Sequence, residues 1–145
     1  MPGIVVGVDG SSTSERALDW AMKEAAVLHA PLTVIAVHQA MKSYWTGNPV
    51  TLSEDSAEIE KTREAAEEMT RRAASRLGDA RPASVNVRTL NGFPASELIE
   101  ASHDADLVVV GSRGGGGFGQ LMMGSVSSQV VHHAACPVVV VPHER

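Results

Sequence analysis

The sequence predicts an α/β protein with one doubly wound parallel sheet of five strands and with helices on both faces of that sheet. Short apolar runs alternate with helical patterns from one end of the chain to the other. Most runs are apolar at consecutive positions, which is typical of strands buried on both faces and joined by helical crossovers. The 145 residues contain no low-complexity linker, so we expect a single domain over residues 1–145.

The first half of the chain predicts two buried strands, each followed by a helix. The strands are the apolar runs Ile4 to Val8 and Leu32 to Val37. Ser12 and Glu15 have the spacing of a capping box, so the first helix should begin there. A polar connection runs from Gln39 to about Ser53. Apolar positions recur at helical spacing in both helices: Leu18, Ala21, Ala25 and Leu28 in the first, and Ile59, Ala66, Met69, Ala73 and Leu77 in the second.

The second half of the chain predicts three more strands and two shorter helices. Val85, Val87 and Thr89 alternate with polar residues, which is typical of a half-buried edge strand. Pro94 suits the first turn of a short helix. The remaining elements are a fourth strand at Leu107 to Val110, a last helix lined by Val126, Val130 and Ala134, and a fifth strand at Pro137 to Val141.

The composition excludes several classes of protein. The 12 basic residues against 17 acidic ones argue against a protein that reads nucleic-acid backbones. No segment approaches the about 20 apolar residues of a membrane helix, and the N-terminus lacks the basic start of a signal peptide. The one cysteine, Cys136, fits a reducing compartment and an inert thiol. We therefore expect a cytoplasmic protein with no membrane or nucleic-acid partner.

Two connections predict a ligand crevice. In a doubly wound sheet, ligands bind beyond the carboxyl ends of the strands, where the winding reverses direction. The turn after the first strand runs through Val8 and Asp9, and the turn after the fourth begins at Gly111. Seven of the 13 glycines lie between Gly111 and Gly124. Backbone without Cβ atoms lets amide N–H groups close around an anion, so this connection predicts a phosphate ligand.

The glycine-rich connection leads into the last helix at Gly124-Ser125-Val126-Ser127. The first amides of a helix have no intrahelical partner, and the helix dipole adds partial positive charge, so a phosphate is well accommodated there. The hydroxyls of Ser125 and Ser127 would add donors, and Arg113 supplies a full positive charge. Each piece also has an ordinary explanation: the serine as an N-cap, the aspartate as a turn residue, the glycines as a surface loop. Their convergence on one crevice favours the ligand site.

Phosphate motifs of other families are absent or weak. No G-x-x-x-x-G-K-[ST] occurs, which argues against a P-loop NTPase. Gly114, Gly116 and Gly119 satisfy G-x-G-x-x-G, but the following strand lacks the acidic residue that a dinucleotide site needs about 20 residues further on. His132 and His133 are adjacent and would point about 100° apart on a helix, so we expect no metal site held by protein side chains.

These motifs closely resemble the universal stress protein family, and specifically its nucleotide-binding branch. The spacing of Gly111, Gly114 and Gly124-Ser125 matches that branch's G-2x-G-9x-G-[ST] pattern. The similarity extends to the opening IVVGVDGS, to VVVGSRG at the entry to the glycine-rich connection, and to GSVSSQVVHHAACPVVVVP at the end. It therefore covers most of the chain, and the segment Met41 to Ser53 is its least informative part.

The resemblance implies a sheet of strand order 3-2-1-4-5, of the adenine nucleotide alpha hydrolase-like kind, and ATP bound with Mg²⁺ or Mn²⁺ carried by its phosphates. It also points to a homodimer, which the free apolar edge of strand Val138 to Val141 favours independently. The implied nucleotide contacts are those of Asp9 with the ribose or adenine, of the Val37 backbone with the base, of Gly111, Arg113 and Gly114 with the ribose and α-phosphate, and of Gly124, Ser125, Val126 and Ser127 with the phosphates.

Three functions stay open at the level of the sequence. The first is an ATP-binding, nucleotide-responsive regulator of the stress response that acts through a protein partner. The second is a slow ATPase or phosphotransferase, disfavoured because no Walker lysine occurs and Asp9 is the only obvious carboxylate near the phosphates. The third is a dimeric interaction module without nucleotide, which the glycine motif disfavours. The sequence assigns no catalytic residue, and it does not distinguish ATP from AMP or a cyclic nucleotide.

Overall fold

Parallel strands alternate with helices through the part of the chain that the structure describes. The computed structural model describes residues 3–38, 52–112 and 124–143, with the side chains of residues 52–56 excepted. The strands are Ile4–Val8 (β1), Pro31–His38 (β2), Ser84–Asn91 (β3), Leu107–Gly111 (β4) and Val138–Val141 (β5), and the helices are Ser12–Leu28 (α1), Leu52–Ser75 (α2), Pro94–Ser102 (α3) and Ser125–His133 (α4). Over these residues, no helix combines the length and the apolar character needed to cross a membrane.

The sheet has five strands in the order β3-β2-β1-β4-β5, and every neighbouring pair is parallel. This confirms both the predicted fold class and the strand order that the resemblance implies. β1 lies at the centre, where Val6 is aligned with Val34 of β2 on one side and Val109 of β4 on the other. The chain winds outward through β2 and β3, then returns to β4 on the opposite side of β1. The winding therefore reverses between β1 and β4, which is where such sheets bind ligands.

Alternate residues of the central strands supply two separate apolar layers, one on each face of the sheet. On the first face, Val6 and its neighbours pack beneath α1 and α2. On the second face, Val5 packs with residues of α3 and α4. Val6 is completely buried and Val5 is 7% exposed, so the central strand is covered on both sides. This two-sided burial explains why the strand sequences are apolar at consecutive positions.

The N-cap of helix α1 lies one residue earlier than the capping-box spacing predicts. Its N-cap is Ser11, whose hydroxyl accepts a hydrogen bond of 3.1 Å from the backbone amide of Ser14. The prediction that Ser12 caps the helix with Glu15 is therefore wrong, because the neighbouring serine takes the N-cap position. At the other end, His29 adopts a left-handed conformation with φ of 51°, and Ala30 donates its amide to the carbonyl of Ala25. This arrangement satisfies carbonyl groups that the helix end would otherwise leave unpaired.

Helix α2 differs from the predicted second helix at both ends. It begins at Leu52, inside the connection predicted to reach Ser53, and it ends at Ser75. Leu77 consequently lies beyond the helix, although its side chain still packs against the first apolar layer. The predicted core positions Ala66, Met69 and Ala73 are all buried, which confirms the helical face.

Candidate functional site

The turn after β1 holds Asp9 at the carboxyl edge of the sheet. Val8 is buried at the end of the strand, and Asp9 is exposed immediately after it. One carboxylate oxygen of Asp9 accepts a 2.9 Å hydrogen bond from the amide of Ser11. The amide of Asp9 donates to the hydroxyl of buried Ser14 at 3.2 Å, and that hydroxyl donates to the carbonyl of Ser11 at 3.0 Å. These bonds fix the turn, so Asp9 presents its carboxylate from a defined position.

The end of β4 lies directly against the first turn of α1. A Cβ atom built on Gly111 would stand 2.8 Å from Cγ2 of Thr13 and 3.2 Å from the carbonyl carbon and oxygen of the same residue. The first of these distances is shorter than real Cβ atoms show, so any side chain at position 111 would force Thr13 to shift. Gly111 therefore allows the end of β4 and the first turn of α1 to meet at the edge where the winding reverses.

The start of α4 is tied to the end of β4 by a buried hydroxyl. The amide of Gly124 donates to the carbonyl of Ser112 at 2.6 Å. Ser127 is 2% exposed, and its hydroxyl lies 3.1 Å from that same carbonyl and 3.0 Å from the carbonyl of Gly124. Ser112 in turn donates its amide to the carbonyl of Val141 at 2.8 Å. The N-terminus of α4 is thus held in one orientation relative to the sheet.

The N-terminus of α4 has no side-chain cap among the residues that the structure describes. The N-cap is Gly124, which offers no side chain. Ser125 is exposed, and Val126 is half-buried. Three amides at the start of a helix lack carbonyl partners four residues earlier in the helix, and the dipole makes this end partially positive. The geometry suits an anion placed just beyond Gly124.

Helix α3 also borders the site, which the sequence did not indicate. Val37 and Val126, both implied as nucleotide contacts, pack against one apolar layer that includes Ala95 of the first turn of α3. The helix packs against β1, β2, β4 and α4. Its N-cap residue is Phe93, which has half of its surface exposed. The signal in the sequence was an aromatic residue at the N-cap position just before Pro94, where a polar residue is the rule.

The family to which the chain belongs follows from a comparison with known proteins. The model of the family described as "Universal stress protein family" matches residues 2–142. The chain therefore belongs to the universal stress protein family.

Sequence relatives support this membership. A universal stress protein from Mycolicibacterium smegmatis is 37% identical over 139 residues, which are 96% of this chain and 47% of that protein. "Universal stress protein Rv2005c" of Mycobacterium tuberculosis is 34% identical over the same proportions. The chain thus spans about half the length of the curated relatives that it matches.

Solved universal stress protein structures share the fold. UspA from Lactobacillus plantarum superposes with a TM-score of 0.75 at 23% identity, covering 96% of both chains. A universal stress protein in complex with cAMP has a TM-score of 0.68 at 26% identity, over 97% of this chain and 95% of the other. The protein from Archaeoglobus fulgidus in complex with dAMP has a TM-score of 0.63 at 25% identity, over 96% of both chains.

Two residues of the expected universal stress protein site, Arg113 and Gly114, fall in the interval 113–123 and lie outside the described residues. Most of the segment Met41 to Ser53, to which the sequence assigned no role, falls in 39–51 and also lies outside them. The structure brings the other expected contacts to the carboxyl edge of the sheet or to the adjoining ends of β2 and α4. Within the described residues, no three His, Cys, Asp or Glu side chains come together as a group able to hold a metal ion.

Cys136 lies away from this edge, in the turn between α4 and β5. Its side chain is partly buried, and Sγ donates to the carbonyl of Pro137 at 3.4 Å. Burial raises the pKa of the Cys136 thiol, and the nearby Asp106 carboxylate raises the pKa further. Because the thiolate is the reactive form, both effects lower reactivity, in agreement with the predicted inert thiol.

Proposed function

We propose that this chain is a cytoplasmic ATP-binding protein that holds the nucleotide where the carboxyl ends of β1 and β4 meet. The observation that carries the proposal is the fixed, glycine-capped N-terminus of α4, whose first amides face the edge where the winding of the sheet reverses. Asp9 would contact the ribose or adenine, with Val8 beneath it, and the Val37 backbone would contact the base. The phosphates would lie at α4.

The chemistry of the described residues fits a phosphate at α4. The amides of Ser125, Val126 and Ser127 supply donors without any side-chain competitor at the N-cap. The Ser127 hydroxyl is engaged with two carbonyls, so this residue would bind through its backbone amide and would hold the helix in place through its side chain. Ser125, which is exposed, keeps its hydroxyl available for the phosphate. Gly111, Arg113 and Gly114 would follow the ribose and the α-phosphate.

A divalent ion would enter the site with the nucleotide. Mg²⁺ is commonly bound through substrate phosphates and water, with few protein ligands. Its chemistry there is to neutralise phosphate charge, which matters for a chain of net charge −5. The protein residues would bind and orient the phosphates around it.

ATP with magnesium is expected to stabilise the folded protein. At about 100 times its Kd, a ligand that binds only the folded state adds about 2.7 kcal/mol. For a chain of this size, that corresponds to a rise in melting temperature of about 5–10 °C. Thermal melts at increasing ATP, with magnesium and with EDTA in parallel, would measure it. A melting temperature that stays constant up to millimolar ATP and magnesium would contradict nucleotide binding.

A charge placed at the start of α4 should separate phosphate binding from folding. Ser125→Asp puts a carboxylate where the phosphates would lie, and we expect it to weaken ATP binding about tenfold or more by repulsion. The same carboxylate interacts favourably with the helix dipole, so the melting temperature without nucleotide should not fall. Calorimetric titration would compare it with Ser125→Asn, which has the same shape without the charge. Equal ATP affinities for the two variants would show that the phosphates do not bind at the N-terminus of α4.

AMP or a cyclic nucleotide is the second candidate ligand, and two solved relatives favour it. One of them is a complex with cAMP and another is a complex with dAMP. Both ligands carry adenine, a sugar and a single phosphate. Titrations of this chain with ATP, AMP and cAMP under the same conditions would rank the three.

We further propose that nucleotide occupancy acts through a protein partner and that the protein is a homodimer. The support for the dimer is the position of β5, which forms one edge of the sheet and pairs with β4 on its inner side. A second copy would pair with the outer side and cover its apolar residues. The end of β5 also contacts the site region, through the bond from Ser112 to Val141 and through one from the Arg16 guanidinium to the carbonyl of Pro142 at 2.9 Å.

A further inference from the structure

Phe93 occupies a position that its chemistry does not explain. It is the N-cap residue of α3, and it makes no side-chain hydrogen bond to the helix. Serine, threonine, aspartate and asparagine are preferred at N-caps because their oxygen atoms accept a bond from the first-turn amides. Phenylalanine has no such atom, and half of its surface is exposed to solvent. Phenylalanine at this position therefore lacks the stabilising hydrogen bond of a polar N-cap, and its aromatic ring is partly exposed to solvent.

Phe93 lies at the same edge of the sheet as the proposed nucleotide site. Asn91, the last residue of β3, is aligned with His38, the last residue of β2. The amide of Gly92 then donates to the carbonyl of His38 at 3.0 Å, which holds the β3–α3 turn against the end of β2. Phe93 follows directly, so it stands just beyond the carboxyl ends of these two strands.

The packing of α3 places its first turn on the same face as the proposed base and phosphate contacts. Leu98 of this helix lies against Gly7 of β1, two residues before Asp9. Ala95 belongs to the apolar layer against which Val37 and Val126 pack. Since α3 runs from the carboxyl edge back along the sheet, its N-cap projects beyond that edge, on the side of the sheet from which α4 also begins.

We propose that the ring of Phe93 is the wall on which the adenine base of the bound nucleotide stacks, which makes it a specificity-determining residue. This inference rests on the proposed function and adds to it a residue that binds the base. Adenine has two flat apolar faces, and aromatic side chains bind such faces by stacking. The Val37 backbone would meet the polar edge of the base, while Phe93 covers one face. Burial of the ring by the base would account for its exposure in the free protein.

The test replaces the ring while repairing the cap. Phe93→Ser supplies an N-cap hydroxyl, which offsets the loss of the half-buried ring, so the melting temperature should stay within about 3 °C of the unchanged protein. Loss of stacking should weaken the binding of both ATP and AMP about tenfold. Inorganic tripolyphosphate has no base, and its Kd should change less than about twofold. Calorimetric titrations of the three ligands would measure these differences.

Two further variants make the result specific to an aromatic ring. Phe93→Tyr keeps the ring and should bind ATP like the unchanged protein, whereas Phe93→Leu keeps an apolar side chain and should show most of the loss. Val27→Ser alters another exposed apolar residue, at the C-terminal end of α1, and should leave ATP binding unchanged. ATP affinity that is retained in Phe93→Ser or in Phe93→Leu would overturn the stacking role, and so would an equal loss for ATP and tripolyphosphate. If the unchanged protein bound no adenine nucleotide, the proposed function itself would fail.

Discussion

Replacing Gly111 by alanine is expected to destabilise the fold by about 2–3 kcal/mol and to weaken ATP binding at least about tenfold. The new methyl group would stand 2.8 Å from Cγ2 of Thr13 and 3.2 Å from two backbone atoms of that residue. A side chain can rotate away from a close contact, but the backbone of the first turn of α1 has to move as a unit. That movement would separate Asp9 from α4, which is why binding should fall together with stability. Urea unfolding and ATP titration would measure the two effects.

Two other variants give this prediction its controls. Gly78→Ala makes the same chemical change at a position with no atom within 4 Å of the new carbon, and it should change stability by less than about 1 kcal/mol. Adding Thr13→Ser to Gly111→Ala removes the nearest contact, Cγ2, and leaves the two backbone contacts. The double variant should therefore recover part of both losses. Equal costs for the alanines at positions 78 and 111 would show that crowding against α1 is not the reason for the glycine.

The strands could be predicted closely because each apolar run ends at a residue that interrupts it. The predicted β1, Ile4 to Val8, agrees with the structure at both ends. β4 is one residue longer than predicted, because it ends at Gly111 rather than at Val110. β2 gains one residue at each end, Pro31 and His38. In the central strands, burial on both faces imposes the apolar character at consecutive positions, so a single linear pattern identifies both the strand and its place in the interior of the sheet.

Helix ends were harder to predict because they depend on bonds between particular side chains and the backbone. Ser11 and Ser12 are equally suitable N-caps by residue type. In the structure the N-cap is Ser11. The hydroxyl of buried Ser14 donates to the carbonyl of Ser11 and accepts from the amide of Asp9, so the N-cap and the Asp9 turn are bonded to the same side chain. The start of α1 is therefore set together with the position of Asp9, and the capping-box spacing alone does not contain that information.

The local motifs of the candidate site could be predicted from the sequence, whereas the contacts between segments that are distant in the sequence could not. The glycine spacing and the Asp9 turn are visible in the sequence, and the strand order brings Asp9, after β1, and Gly111, at the end of β4, to the same edge. The contact of Gly111 with Thr13, the bonds of Ser127 to Ser112 and Gly124, and the approach of α3 all join separate segments. Such contacts depend on register and helix placement, which no local pattern specifies.

The packing of α3 on the central strand provides the other large effect. Leu98 is 2% exposed, and its truncation to alanine should cost about 3–4 kcal/mol through lost burial and the cavity left behind. The facing residue is Gly7, which has no side chain to fill that space. The three atoms nearest to a Cβ atom on Gly7 would all belong to Leu98, at 2.7 Å, 3.2 Å and 3.5 Å. Gly7→Ala alone should therefore cost about 1–3 kcal/mol through overpacking.

Because the same atoms cause both effects, the two substitutions should compensate when they are combined. In Gly7→Ala/Leu98→Ala, the new methyl group occupies space that Leu98 has vacated, so the double variant should be no less stable than Leu98→Ala alone. This corresponds to a favourable coupling of about 1–3 kcal/mol in urea unfolding. Leu18 is a fully buried residue of α1, which covers the opposite face of the sheet, and Gly7→Ala combined with Leu18→Ala should show additive costs. Additive costs in the Leu98 pair as well would mean that Gly7 is required for a reason other than the approach of α3.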